Sequence, residues 1–183
     1  VNFLAGLILF FTIIFYVLIY TVWLKRKTPQ NIVIGGASGA LPPVIGWVAV
    51  TGNFDLFPII LFAIIFIWTP PHFWALSLYR HDDYIKANIP MMTVINGRAK
   101  TRIYIFLYSL ILAPIALVPC FYSSFGFFYG ITSGFLGFGF VYLSFKVLKD
   151  DDESEKLNDF KNAKNLFKYS ILYGHPVTTV FKF

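Results

Sequence analysis

Charge is scarce in this sequence. Asp, Glu, Lys and Arg make up only 13% of its 183 residues, against roughly a quarter in soluble domains. That shortage excludes an ordinary soluble globular domain. Cysteine is scarcer still: Cys120 stands alone, so no intrachain disulfide can form and cysteine usage says nothing about the redox compartment. Cys120 lies inside an apolar run and reads as a small packing residue. The first charged residue is Lys25, so the opening apolar run lacks the basic region of a secretory signal peptide. The chain is expected to begin partway through a longer protein.

What is present is apolar: 57% of residues are hydrophobic and 20% are aromatic. The charges are confined to 25–27, 55, 80–102, 146–168 and 182, and the runs between them are long enough to cross a hydrocarbon core of about 30 Å. Spans are predicted at about 3–24, 32–51, 57–78, 103–121 and 126–145. A partial sixth covers 166–181, where Gly174, His175 and Pro176 are expected to interrupt it. Runs that cross a bilayer should be helical, because a helix satisfies its own backbone. The expected fold is therefore a single, all-α, polytopic membrane helical bundle. Alternate loops carry the Lys and Arg residues: 25–31, 79–102 and 146–165 are basic, whereas 52–56 and 122–125 have none. That asymmetry puts the basic loops on the cytoplasmic side. It also accounts for the net charge of +6 without nucleic acid, which is not expected as a partner.

Local signals refine the picture. Thr28 can cap a helix beginning at Pro29. Gly35 with Gly39, and Gly36 with Ala40, stand four apart and permit close helix approach. Pro42–Pro43 and Pro70–Pro71 remove backbone donors within spans, so both helices should kink or break there. The run "DDDESEKLNDFKNAK" at 150–164 reads as a solvated loop or surface helix, and Asp150, Asp151 and Asp152 are left outside the site.

The chemistry concentrates in residues 72–102. If the third span continues as one helix, His72, Leu76, Tyr79 and Asp83 share a face running to the membrane edge. Asp82 and Asp83 lie about 100° apart around such a helix and cannot clasp one ion as an i,i+4 pair could. Carboxylates beside basic residues at that edge suit a diphosphate carried by Mg²⁺, with Arg80, Lys86, Arg98, Lys100 and Arg102 to meet the remaining phosphate charge. The bland alternative is a loop whose cations only set topology, and charge content alone favours it. An ionisable residue inside a span, His72, is a functional candidate by default; its alternative is a neutral imidazole hydrogen-bonded between helices.

The stretches "YTVWLKRKTPQNIVIGGASGALPPVIGW" (20–47), "WTPPHFWALSLYRHDDYIKANIPMM" (68–92) and "AKNLFKYSILY" (163–173) closely resemble the heme-modifying branch of the UbiA prenyltransferase superfamily, and the likeness covers residues 3–173 in order. The resemblance implies a membrane enzyme with a central cavity open to the cytoplasm, which transfers a farnesyl group from farnesyl diphosphate to a vinyl group of heme B to give heme O for terminal oxidases. It implies Mg²⁺ held with diphosphate by two Asp-rich motifs. The second matches "YRHDD", with Asp83 at its later Asp and Tyr79 at its earlier position, so Asp83 and Tyr79 are expected in catalysis and Asp83 and Asp82 at the metal. Lys25, Arg26, Asn31, Arg80 and Lys86 are expected to bind diphosphate, and His72, Trp68 and Phe73 to line the heme or prenyl pocket, with Trp74 a further aromatic for the allylic cation. Lys25, Asn31, His72, Tyr79 and Asp83 are expected to converge on one cavity. The first motif is absent, the chain is expected to begin at the family's fourth helix, and alone it is expected to be inactive. The resemblance further implies the bacterial cytoplasmic (inner) membrane or the mitochondrial inner membrane, with basic loops facing cytoplasm or matrix, and oxidase-assembly proteins as partners. Competing readings are a non-catalytic remnant of such an enzyme and a small-solute transporter, which would spread polar residues along several spans rather than gather them at one mouth.

Overall fold

The computed structural model describes residues 2–122 and 126–179, and among them every regular element is a helix. The fold class is as expected, an all-α bundle with five helical segments long and apolar enough to cross a membrane. The first is α1 (Phe3–Ile14), which runs on into a π-helical segment (Phe15–Leu24). There follow α2 (Asn31–Gly39), α3 (Pro42–Thr51), α4 (Leu56–Tyr79), α5 (His81–Lys86), α6 (Met92–Ile95), α7 (Gly97–Ile115), a 3₁₀ turn (Val118–Phe121), α8 (Gly126–Lys149), α9 (Asp152–Leu157) and α10 (Lys161–Thr179).

Caps set several boundaries. Asn2 starts α1 by accepting from the Ala5 amide at 2.9 Å, and its Nδ2 donates to the Val48 carbonyl at 2.6 Å, which ties α1 to α3. Asp55 caps α4 through the Phe57 amide, 3.3 Å. Gly52 ends α3 at φ +75°, a conformation that only glycine adopts without penalty. Thr28 does accept from the Gln30 amide at 3.2 Å, but the helix proper starts at Asn31, two residues beyond the expected Pro29.

The two proline pairs behave differently. Pro42 begins a new helix after α2 ends at Gly39, so the second span is broken as expected. Pro70 and Pro71 lie inside an α4 that continues from Leu56 to Tyr79, so the expected break does not occur. The missing donors leave the Phe66 and Ile67 carbonyls without their i+4 amides. The helix tolerates this because Thr69, Pro70, Pro71 and His72 are all buried against neighbouring helices. Gly36 of α2 makes one such approach possible: a Cβ there would lie 3.2 Å from the Thr69 methyl. Gly35 likewise sits against the Tyr20 ring, whereas Gly39, its expected companion, faces open space.

α4 is the hub of the bundle. It packs against α2, α3, α7 and α10, while α8 closes the other side of α7 and α10. Trp74, Leu78, Ile105, Phe140 and Leu166 from these helices are almost wholly buried in one core. By contrast, α1 buries only Ala5, the π-helical segment buries nothing, and Phe128, Phe135 and Phe138 of α8 stand more than 70% exposed. Apolar surface on that scale suits lipid rather than water.

Two further boundaries differ from expectation. α7 begins at Gly97 rather than near 103, which draws Arg98, Lys100 and Arg102 into its first turns. α10 runs from Lys161 through Gly174, His175 and Pro176 to Thr179 instead of stopping there. Pro176 lies within the last turn of the described helix, where it leaves the Leu172 carbonyl without its i+4 amide.

The segment read as a solvated loop or surface helix does carry a largely exposed helix, α9, and is in addition an anchor. Asp151 caps α9 in a reciprocal capping box with Ser154, Asp150 accepts from Asn162 Nδ2 at 2.8 Å, and Asp152 accepts from Arg102 Nη1 at 3.1 Å. Arg102 is buried and also faces the buried Glu155 carboxylate at 3.2 Å, although neither Glu155 oxygen has a well-aligned hydrogen bond. Burial raises the Glu155 carboxyl to about 7, against the opposing pull of Arg102 and Arg98. Replacing Glu155 leaves Arg102 paired with Asp152, whereas losing Arg102 breaks both pairs but leaves one carboxylate in solvent and one able to take up a proton. Arg102→Met is expected to lose roughly 1.5–3 kcal/mol of stability, and Glu155→Gln close to none, in denaturant unfolding of the detergent-solubilised chain. Because the folded carboxyl holds its proton up to about 7 and the unfolded one only to about 4.5, stability should fall as pH rises through that window, and Glu155→Gln should abolish the fall.

Candidate functional site

The residues expected at the site fall into three clusters, two of them on α4. The inner cluster is built by the i,i+4 pair Trp68 and His72. Their rings stack at 4.5 Å with 19° between planes, and Phe167 of α10 covers the other face of the imidazole at 4.7 Å and 24°. Phe73 meets it edge-on at 5.0 Å. α10 also supplies Ser170: its hydroxyl oxygen lies 2.6 Å from His72 Nδ1, and its carbonyl accepts from Trp68 Nε1 at 3.0 Å. Gly174, one turn further on, leaves room for the indole, since a Cβ there would lie 3.2 Å from Trp68 Cζ2. Trp68, His72 and Phe73 are thus brought together. Trp74 is not; its ring turns into the core against Tyr104 and Tyr108 of α7 and is 1% exposed, so it cannot face a ligand.

The second cluster lies at the end of α4. Tyr79 packs edge-on against Phe167 at 6.1 Å, and the Lys164 ammonium sits 5.8 Å from the Tyr79 ring centroid while pairing with Asp159 at 2.7 Å. The helix does not continue through Asp83, as a shared face with His72 would require. Arg80 leaves helical geometry at φ −105°, ψ 21°, and α5 restarts at His81. The break places Asp82 and Asp83 in the first turn of α5, where carboxylates are favoured. Asp82, Asp83 and Lys86 are all exposed, and Asp83 pairs with Arg80 at 3.0 Å. Asp83 also helps burial to push the neighbouring Tyr84 hydroxyl up. His81 is pushed down, first by burial and then by Arg98, with Asp82 and Asp152 opposing.

The third cluster is the loop after the first span. Asn31 is buried; its Nδ2 donates to the Lys25 carbonyl at 3.2 Å and its Oδ1 has no partner. Arg26 reaches across to the segment after Asp83, lining a cavity of about 270 Å³ with Tyr84, Ile85, Asn88 and Ile89. Lys25 and Asn31 therefore stay together, and Arg26 joins the region of Asp83. Among the described residues, no hydrogen bond or ion pair links Lys25, Asn31 or His72 to Asp82 or Asp83. Two cations expected to meet phosphate are committed elsewhere: Arg102 to Asp152 and Glu155, and Arg98 to the ring of Phe160, 5.1 Å from its centroid.

Sequence reasoning missed Lys164, Phe167 and Ser170. They recur at three-residue spacing in "AKNLFKYSILY" and so share one helical face, but nothing local says that this face meets Trp68, His72 and Tyr79.

Five helical segments long and apolar enough to cross a bilayer define the class of the fold, a polytopic membrane protein. The model of the UbiA prenyltransferase family matches residues 1–171, and the chain belongs to that family; it is an integral membrane protein. It is 55% identical over 175 residues to protoheme IX farnesyltransferase 2 of Mesorhizobium japonicum, covering 94% of this chain and 54% of the relative. The protoheme IX farnesyltransferases of Parvibaculum lavamentivorans and Rhodopseudomonas palustris are 53% and 52% identical over 173 residues, with the same coverage. The chain spans about half the length of the curated relatives it matches. No solved structure matches it.

The Arg80–Asp83 pair is three residues apart and more than half exposed on both sides. Exposed pairs of this kind contribute about 0–1 kcal/mol. Asp83→Asn should thus leave the denaturant midpoint of the solubilised chain nearly unchanged, with any shift below about 1 kcal/mol.

Proposed function

We propose that this chain carries the acceptor pocket and half of the diphosphate site of an enzyme that moves a farnesyl group from farnesyl diphosphate to a vinyl group of heme B, giving heme O. The observation that carries the reading is that α4 joins an aromatic-walled imidazole inside the bundle to exposed carboxylates at its edge, with Phe167 touching both His72 and Tyr79. The names of the relatives, at 52–55% identity, support the same chemistry.

The residues fit Mg²⁺ in one mode only. Among the described residues, no cluster of three or more His, Cys, Asp or Glu could hold an ion unaided. The exposed Asp83, with Asp82 beside it, suits an ion that uses one or two carboxylates and takes its remaining ligands from water and phosphate oxygens. When bound, Mg²⁺ neutralises charge on the departing diphosphate. Arg80, Lys86, Arg26 and Lys25 lie at the same edge and donate to phosphate oxygens; Arg80 can exchange its weak pair with Asp83 for this role. Asn31, held against the Lys25 loop, keeps that loop in place. As the bond from the prenyl carbon to diphosphate oxygen breaks, an allylic cation forms, and the ring faces of Trp68 and Phe73 lower its energy. The apolar walls exclude bulk water until the vinyl carbon attacks; the cation this leaves on the porphyrin side chain is then quenched by one water, which adds its oxygen and releases a proton. Tyr79, beside Lys164 at the edge, orients the diphosphate end. On this reading the basic loops face the cytoplasm or matrix, where both substrates are delivered.

The test uses this sequence carried in a protein of the relatives' full length, reconstituted in lipid with heme B, farnesyl diphosphate and Mg²⁺. Asp83→Ala should reduce heme O formation by about a hundredfold or more, the scale of losing a principal electrostatic stabiliser. Undiminished turnover would sink the assignment.

A further inference from the structure

We propose that Ser170 is a positioning residue that fixes the tautomer of His72, so that the imidazole presents Nε2 as a bare lone pair to the iron of a bound metalloporphyrin. The identity of the ligand rests on the function proposed above; the tautomer rests on geometry alone.

The Ser170 hydroxyl has a single proton and two close neighbours. Its oxygen is 2.6 Å from the Phe167 carbonyl oxygen and 2.6 Å from His72 Nδ1. A carbonyl can only accept, and two oxygens 2.6 Å apart with no proton between them would repel. The serine proton therefore belongs to the Phe167 carbonyl. The proton on the other contact must then come from the imidazole, so Nδ1 carries the hydrogen and the serine oxygen accepts it. In a neutral ring this leaves Nε2 unprotonated. A doubly protonated ring would be a cation without an anionic partner among the described residues, where its ring and hydrogen-bond contacts are Trp68, Phe73, Phe167 and Ser170.

Packing then dictates where this lone pair can act. Trp68 and Phe167 cover the two faces of the ring, and Ser170 holds the Nδ1 edge. The same residue fixes the indole through its carbonyl, so one turn of α10 immobilises both members of the stack. Phe73 meets the ring edge-on, and Nε2 has no hydrogen-bond partner among the described residues. An in-plane lone pair suits a Lewis acid and repels another acceptor. That selects the iron of a porphyrin over its propionate carboxylates. A histidine that donates its second ring N–H to a protein oxygen is the usual arrangement of a metal-binding imidazole.

Two measurements on the chain in lipid nanodiscs separate the parts of the proposal. The first is ¹⁵N NMR of histidine-labelled protein without porphyrin, with the His72 signals assigned by their loss in His72→Ala. The expected result is a protonated Nδ1 and a bare Nε2 in the wild type, shifting towards the Nε2–H tautomer in Ser170→Ala, which keeps the backbone carbonyl that anchors Trp68. A wild-type ring protonated at Nε2, or a tautomer indifferent to Ser170→Ala, overturns the role of Ser170. The second is absorption titration with hemin and with iron-free protoporphyrin IX. Hemin should show a nitrogen-ligated spectrum that is lost in His72→Ala, with affinity about tenfold or more weaker in Ser170→Ala, while the iron-free porphyrin should be indifferent to both changes. Equal hemin spectra in wild type and His72→Ala would overturn iron ligation without touching farnesyl transfer, which stands or falls with the Asp83 variant.

Discussion

Backbone groups inside a bilayer have no water to bond to, and an unpaired one costs several kcal/mol. α4 forgoes two successive donors at Pro70 and Pro71 and places an imidazole beside them. Such a helix can exist only if other protein covers residues 69–72. That requirement accounts for much of the architecture. α2 brings Gly36 against Thr69, and α10 brings Phe167 and Ser170 against Trp68 and His72. The inner half of the site is the cover that α4 needs.

The orientation of α10 is set outside the bundle. Asp159 and Phe160, immediately before it, both adopt left-handed backbone, φ +48° and +54°. Aspartate tolerates this; a bulky phenylalanine does so at a cost of about 1–2 kcal/mol. Arg98 lies over the Phe160 ring, Lys164 pairs with Asp159, and Arg102 grips α9 through Asp152 and Glu155. Cations that looked available to a ligand are instead spent on aiming one helix. The consequence reaches the site, because the turn they brace determines which face of α10 meets α4.

This explains what could be read from the residues and what could not. The absence of charge over long runs made the all-α membrane bundle legible, since each run between charges must satisfy itself as a helix. The break at Pro42 was legible for the same local reason. Pro70–Pro71 misled because continuity there depends on burial by α2 and α10, which no local pattern records. The continuous face from His72 to Asp83 failed at one residue, Arg80, whose departure from helical geometry carries no proline or glycine signal. His72 was visible as an ionisable group within a span, but its partner lies 98 positions away in sequence. Arg102 and Glu155 were misassigned for a related reason: charge in a loop gives no indication of whether it will be buried.

The two halves of the site differ in the permanence of their contacts. Around His72 the ring faces are stacked and its Nδ1 edge is bonded, so the imidazole arrives at any ligand already oriented. At the rim, Arg80 and Asp83 are both more than half exposed and hold each other weakly. A charged ligand there displaces water and a labile ion pair rather than a fixed structure. The inner half can therefore define position and the outer half can exchange its partners, which is the division that the proposed farnesyl transfer would need. α4 links the two, and the bend at Arg80 is what lets the rim move into solvent while the inner wall stays in the bundle.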